Sequence, residues 1–285
     1  MSKGLQTLEF SFEGDALTHF GGLFLIQRFC NLLRLRRRLQ RILKSAPPGI
    51  GYRPEDLILT FLYVLIAGIQ RVNKTEILQY NGLFLALTGL KRFPDQTALR
   101  RFLRRLPPAA IREMVRLHDR LRGDLFALPR PRTQLEFHLD SVVLTLYGQQ
   151  QGARKGYNPR KKGRRSYHPL LCFEAHGQEF WHGSLRPGDM ASHTGAQFII
   201  RRCLEKVPST VARSRIRFLA DSGFFSGKLV EYLDQAGCGY IVVASKVKNF
   251  LPMAHRAGFQ PMHFGWAVGR ILRACCQINC EKTEL

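Results

Sequence analysis

At Pro129-Arg130-Pro131-Arg132 the period of the hydrophobic pattern changes, and this change limits the possible fold more than any other feature. Before it, apolar residues recur at three- and four-residue intervals, as on helices that share a core. After it they alternate by twos, as on strands. The expected class is α/β. A basic helical domain over residues 1–130 precedes a mixed sheet flanked by helices over 131–250, and the four-residue Pro-Arg stretch is the linker. In the remaining stretch, 251–285, Met253, His255, Phe259, Met262 and Phe264 follow no single period, so an irregular tail is expected.

In the first part, Leu23-Phe24-Leu25-Ile26 leads into Phe29, Leu32, Leu33 and Leu35, interleaved with Arg34, Arg36, Arg37, Arg38 and Arg41. That spacing predicts one amphipathic helix with a cationic face, ended by Pro47-Pro48-Gly49. Pro54-Glu55-Asp56 opens the next helix, its acidic residues placed where the helix dipole favours them. The apolar run from Leu57 to Ile69 contains Thr60 and Gly68 and is too short to cross a bilayer, so it reads as a buried helix and no membrane is expected. Asp95 is placed to cap a helix over Gln96–Arg105, with Leu99, Phe102 and Leu103 on one side and Arg100, Arg101, Arg104 and Arg105 around the rest. Pro107-Pro108 stops it, and a further basic helix carries Arg112, Arg116, Arg120 and Arg122. Two readings stand: solvated arginine faces on a helical bundle, or a helix-turn-helix-like element gripping DNA phosphates. Spacing alone does not choose between them.

In the second part, Leu135 to Tyr147 reads as one long strand. Leu135, Phe137, Leu139 and Val143 share one face, and His138, Asp140, Val142 and Leu144 the other. A basic, turn-rich loop follows over Gly152–Ser166, with Arg154, Lys155, Arg160, Lys161, Lys162, Arg164 and Arg165. Next comes a hairpin, His168–Phe173 and Glu179–His182 around a turn at Ala175-His176-Gly177. Helices are expected over 189–207 and 227–236, and strands over 215–220 and 240–244. A meander passing into alternating helix and strand gives a mixed five-stranded sheet.

The chemistry follows from charge. Lys and Arg number 44 against 21 acidic residues, a net charge of +23 and a pI near 10.4, so the chain is built to approach a polyanion. A generally RNA-adhesive basic protein is the plain alternative. Against this background Asp140 ends one apolar strand-like run and Asp221 closes another, Ile216-Arg217-Phe218-Leu219-Ala220. Their separation, 221 − 140 = 81 residues, allows them to lie on neighbouring strands. Carboxylates side by side repel, and a divalent cation removes that penalty while supplying what phosphodiester cleavage needs. Each aspartate could instead be an ordinary cap, with Asp221-Ser222-Gly223 a strand-to-helix turn.

Rival chemistries find less support. A phosphoaspartyl mechanism commonly needs a second Asp two residues on, where Val142 stands, and no glycine-rich phosphate loop is present. Cys275, Cys276 and Cys280 lack a well-spaced fourth zinc ligand, His263 being too loosely placed. His138 shares the face of Asp140 and reads first as a hydrogen-bonded core imidazole, second as a substrate contact. His168, His176, His182 and His193 form no ligand set. Seven scattered cysteines and a start carrying Lys3 and Glu9 rather than an export signal point to a reducing, cytoplasmic setting.

Several short pieces then occur in order: Leu17-Thr18-His19-Phe20-Gly21-Gly22, Ala67-Gly68-Ile69-Gln70-Arg71 and Leu90-Lys91-Arg92-Phe93-Pro94-Asp95 running on to Phe102. Leu139-Asp140-Ser141, Gly156-Tyr157-Asn158-Pro159, Tyr167-His168-Pro169-Leu170, Leu185-Arg186-Pro187-Gly188-Asp189 and Ala220-Asp221-Ser222-Gly223-Phe224 complete the series. In these the chain resembles bacterial insertion-sequence transposases of the DDE type, whose catalytic core is ribonuclease H-like. The resemblance implies that Asp140 and Asp221 are catalytic and hold Mg2+ (or Mn2+) for cutting element ends and joining them to target DNA. It implies double-stranded DNA as partner, a homodimer, and a place at the nucleoid. The basic residues expected on DNA are Arg100, Arg101, Arg104 and Arg105 on the helix, and Lys161, Lys162, Arg164 and Arg165 in the loop. Such transposases carry a third acidic residue, a Glu on a later helix within a run of Tyr, Arg and Lys. Here only Glu281 and Glu284 follow Tyr240, in a stretch without that run. The expectation is a chain truncated or frame-shifted after about residue 250 and defective in catalysis, or else a non-catalytic remnant that occupies element ends.

Overall fold

A computed structural model describes residues 18–46, 51–126 and 132–243, with the short segments 260–261 and 272–273. Two compact units divide between Leu125 and Phe126.

The first unit is helical: α1 (Leu23–Leu32), α2 (Leu35–Ile42), α3 (Pro54–Ile66), α4 (Glu76–Gln79), α5 (Gly82–Thr88), α6 (Gln96–Arg105) and α7 (Pro108–Phe126). Leu57, Leu78, Phe84, Leu99 and Ala110 are fully buried in its core, where Phe84 meets Phe20 and Phe93 edge-on at 5.8 and 5.5 Å. The single helix predicted across Leu23–Arg41 is two helices, broken where Arg34 takes a left-handed conformation at φ 50°. The burial pattern explains the break. At roughly 100° per residue a straight helix would turn Leu39 about 160° away from Leu23, and both are buried. Asp95 caps α6 as expected, its carboxylate accepting from the Ala98 amide at 2.9 Å. Leu103, expected beside Leu99 and Phe102, is instead 46% exposed, so the buried stripe of α6 is narrow. Arg122 is buried and bonded to Asp119 at 3.1 Å, which removes it from the solvent-facing arginines of α7.

The second unit is built on β1 (Leu135–Ser141), β5 (Leu170–Glu174), β6 (Glu179–Ser184), β7 (Ile216–Ala220) and β8 (Gly239–Val242). Their order is β6-β5-β1-β7-β8, with β6, β5 and β1 antiparallel and β1, β7 and β8 parallel. This is the mixed five-stranded sheet expected from the pattern. Alternate residues Leu135, Phe137 and Leu139 of β1 face the core with Ile216 and Phe218 of β7. Helix α8 (Ala196–Glu205) adds Ile199, Ile200 and Cys203, and α9 (Gly227–Gln235) adds Leu229 and Leu233. Phe137 stacks on Phe218 at 5.1 Å and meets Trp181 edge-on at 4.6 Å.

Three expectations are corrected here. The long strand to Tyr147 stops at Ser141, because the next partner is Pro169. Its carbonyl accepts from Val142 at 3.3 Å, but proline has no N–H to return. The chain then enters a second sheet, β2 (Leu144–Thr145), β4 (Arg165–Tyr167) and β3 (Arg154–Lys155) in the order β2-β4-β3, so the basic loop is partly ordered as strands. The helix expected from residue 189 begins only at Ala196, since carbonyls in 190–194 are taken by side chains of His168 and Arg186. The linker positions 129–131, the break at 47–49, Ala244, Cys275, Cys276, Cys280, Glu281 and Glu284 lie outside the described residues, as does most of the tail apart from β9 (Gln260–Pro261) paired with β10 (Leu272–Arg273). Among the described residues no helix is long and apolar enough to cross a membrane.

Candidate functional site

Asp140 and Asp221 meet at the same end of the sheet. Strands β1 and β7 run parallel in a register that pairs Leu135 with Ile216 and Leu139 with Ala220. One step further on each strand come Asp140 and Asp221, the latter still in extended backbone at φ −76°, ψ 178°. Since Leu139 turns into the core, alternation puts both aspartates on the opposite face, about 4.8 Å apart along the hydrogen-bonding direction. Both are exposed.

Each carboxylate is oriented through one oxygen. Asp140 Oδ1 accepts from the Ser141 amide at 2.7 Å, and Asp221 Oδ1 accepts from the Gly223 amide at 3.0 Å. Asp221 therefore does cap the short 3-10 turn Ser222–Phe224, anchored by fully buried Phe224. The second oxygens have no hydrogen bond or ion pair among the described residues. Two exposed carboxylates offering free hard oxygens fit Mg2+ or Mn2+ rather than a softer ion. Among the described residues no third His, Cys, Asp or Glu joins them in a metal-holding group.

The surroundings contain residues that the sequence pattern did not single out. Ser141 Oγ lies 3.1 Å from Ser192 Oγ and 3.1 Å from His168 Nε2, while His168 Nδ1 lies 2.7 Å from the Met190 carbonyl. Buried Arg186 donates through Nε to the His168 carbonyl at 2.9 Å, and through Nη1 to the carbonyls of Ala191, Ser192 and Thr194. Burial pushes its guanidinium pKa down. The segment crosses the small sheet so closely that a Cβ on Gly188 would stand 2.1 Å from Ser166 Oγ, and one on Gly156 1.9 Å from the Gly188 carbonyl oxygen. The visible signal was the pair of short pieces around Tyr167-His168-Pro169 and Arg186-Pro187-Gly188. His138, expected as a core imidazole, is exposed on β1 and sits 3.2 Å from Glu136.

The eight basic residues expected on DNA are all exposed, and none forms an ion pair among the described residues. Arg100, Arg101, Arg104 and Arg105 line the solvent side of α6, opposite buried Leu99 and Phe102. Lys162, Arg164 and Arg165 edge an open cleft of about 440 Å³ with Lys155 and Tyr147, and Arg164 lies over the Tyr147 ring at 5.9 Å. Lys161 is held at the turn, its amide donating to Asn158 Oδ1 at 3.0 Å. Some arginines elsewhere are tied to carboxylates, as Arg132 is to Glu174 at 3.2 Å and Arg202 to Glu205 at 2.7 Å.

The piggyBac transposase, solved as a synaptic complex with hairpin DNA, is 16% identical over 79% of this chain and 50% of its own, with a TM-score of 0.40. The Mos1 transposase, solved as a pre-cleavage transpososome, is 12% identical over 84% and 85%, with a TM-score of 0.28. The Drosophila P element transposase, solved as a strand transfer complex, is 10% identical over 79% and 50%, with a TM-score of 0.30. The chain thus spans half the length of the piggyBac and P element chains. No curated protein matches it. The family described as Transposase DDE domain group 1 matches residues 2–258, nearly the whole sequence, and the chain belongs to that family.

Proposed function

We propose that this chain acts in DNA transposition, its second unit cutting strands at the ends of a mobile element and joining them to target DNA. The observation that carries this reading is the register of β1 and β7, which brings Asp140 and Asp221 to one face of one sheet end. Family membership supports it, because a DDE domain implies a divalent cation held by carboxylates. Asp140 and Asp221 would hold Mg2+ or Mn2+. When bound, such a cation supplies Lewis acidity at the phosphate and at the attacking oxygen. The Ser141 and Gly223 amides keep the two carboxylates aimed. Lys161, Lys162, Arg164 and Arg165 follow β1 in the chain and hold the DNA backbone for in-line attack, while Arg100, Arg101, Arg104 and Arg105 grip element ends. In this reading residues 1–130 bind ends, 131–250 carry catalysis, and a homodimer working at the nucleoid brings two ends together.

A second reading is favoured by the absence of a third ligand among the described residues. Here the protein is a remnant that occupies element ends without cutting them, since two carboxylates alone place a cation poorly. One experiment separates the two. Duplex DNA flanking the protein's own coding sequence is incubated with the full chain and Mg2+ or Mn2+, alongside Asp140→Asn and Asp221→Asn. Metal-dependent nicking lost in both variants, with binding retained, establishes the catalytic reading. Salt-sensitive binding without nicking in any of the three establishes the occupying one. No preference for this DNA over RNA or unrelated duplex overturns both.

A further inference from the structure

We infer that His168 is a positioning residue for the metal centre, holding through Ser141 and Ser192 the two amides that aim Asp140 and Asp221. The inference rests on the proposal that these aspartates bind the cation.

Hydrogen-bond chemistry fixes one end of the chain. The Met190 carbonyl can only accept, so His168 Nδ1, 2.7 Å away, carries the proton. In a neutral ring Nε2 is then an acceptor, and its partner at 3.1 Å is the Ser141 hydroxyl. Ser141 Oγ also lies 3.1 Å from Ser192 Oγ. Ser192, Ser141, His168 and the Met190 carbonyl are thus joined in one hydrogen-bonded chain. His168 is buried, and its own carbonyl is bonded by Arg186, so the ring has a rigid mount.

Both ends of this chain touch the carboxylates' donors. Ser141 supplies the amide on Asp140 Oδ1. Ser192 packs on the other one: its Cβ and Oγ each lie 3.2 Å from where a Cβ on Gly223 would stand, and Asp221 Oδ1 is 3.2 Å from that same point. Gly223 supplies the amide on Asp221 Oδ1. A single imidazole thus stands behind the turns that orient two ligands on two strands. A histidine that merely filled space would need neither hydroxyl. Groups that orient metal ligands in this way are typically worth about 10- to 100-fold in affinity.

The test is Mn2+ binding to the full chain, read from the paramagnetic resonance signal of free Mn2+, with urea unfolding in chelator to check the fold. Asp140→Asn should abolish the tight site. His168→Ala and Ser192→Ala should each weaken Mn2+ binding about tenfold, and the double variant no further than the worse single, because both cut one chain. His168→Gln, whose amide can reach the Nε2 position, should recover part of the loss. Ser192→Ala carries the test if His168→Ala does not fold. Unchanged Mn2+ affinity in Ser192→Ala or in folded His168→Ala, with Asp140→Asn defective, overturns this inference and leaves the metal site standing. Parent-like affinity in Asp140→Asn overturns the metal site and this inference with it.

Discussion

Glu174 shows how one residue can hold a turn that lies away from the chemistry. Its side chain is fully buried at the end of β5, yet it accepts from the amides of His176 and Gly177 at 3.2 and 2.7 Å and pairs with Arg132 at 3.2 Å. Removing the carboxylate orphans two amides and leaves Arg132 only Glu179. Glu174→Ala should therefore lower the unfolding free energy by about 2–4 kcal/mol in a urea titration, with Mn2+ affinity unchanged. Tyr240 gives a pH prediction. Burial first, and the hydrogen bond to Asp234 at 2.8 Å second, push its pKa up to about 12. The neutral phenol is the form the fold favours, so its contribution is intact below the ordinary tyrosine pKa of about 10 and is lost as pH rises through the folded value. Tyr240→Phe should flatten the fall in stability over that alkaline window, read by thermal unfolding against pH.

Among the elements, α6 divides its labour most cleanly. Asp95 fixes its start, Leu99 and Phe102 anchor it, and four arginines are left facing water without carboxylate partners among the described residues. Replacing Arg100, Arg101, Arg104 and Arg105 by Gln should leave helicity intact and weaken DNA binding uniformly across sequences. The slope of log affinity against log salt should fall by about 0.9 for each phosphate that is no longer neutralised. The segment between β6 and α8 behaves oppositely, being held by close approach rather than by periodicity. Gly188 lies against Ser166 and the Arg154 carbonyl, where a methyl group has no room. Gly188→Ala should cost about 1–3 kcal/mol in thermal unfolding and reduce Mn2+ binding as well, because Ser192 rides on that segment.

The whole molecule carries a net charge of +23. Self-repulsion at that charge opposes the compact state, so the melting temperature should rise as salt goes from about 50 mM to about 500 mM, the opposite direction to DNA affinity. A melting temperature that falls with salt would show that attractive ion pairs dominate instead. Legibility of fold and site divides along the same physical line. Period, capping and charge are local, and they located the change from helices to strands, the Asp95 cap, the five-strand order of elements and the two strand-end aspartates. The break at Arg34 was hidden because it depends on which side of a helix meets the core over sixteen residues, from Leu23 to Leu39. The early end of β1 depends on a proline in a different part of the chain, and the loss of helix before Ala196 on carbonyls taken by His168 and Arg186. A run of amino acids can announce that Asp140 and Asp221 each close a strand, because apolar alternation and its end are written in adjacent letters. That they share a face, and that an imidazole from between two other strands stands behind both, arises only when parallel pairing sets Leu139 beside Ala220, since register is a relation between segments and belongs to neither one.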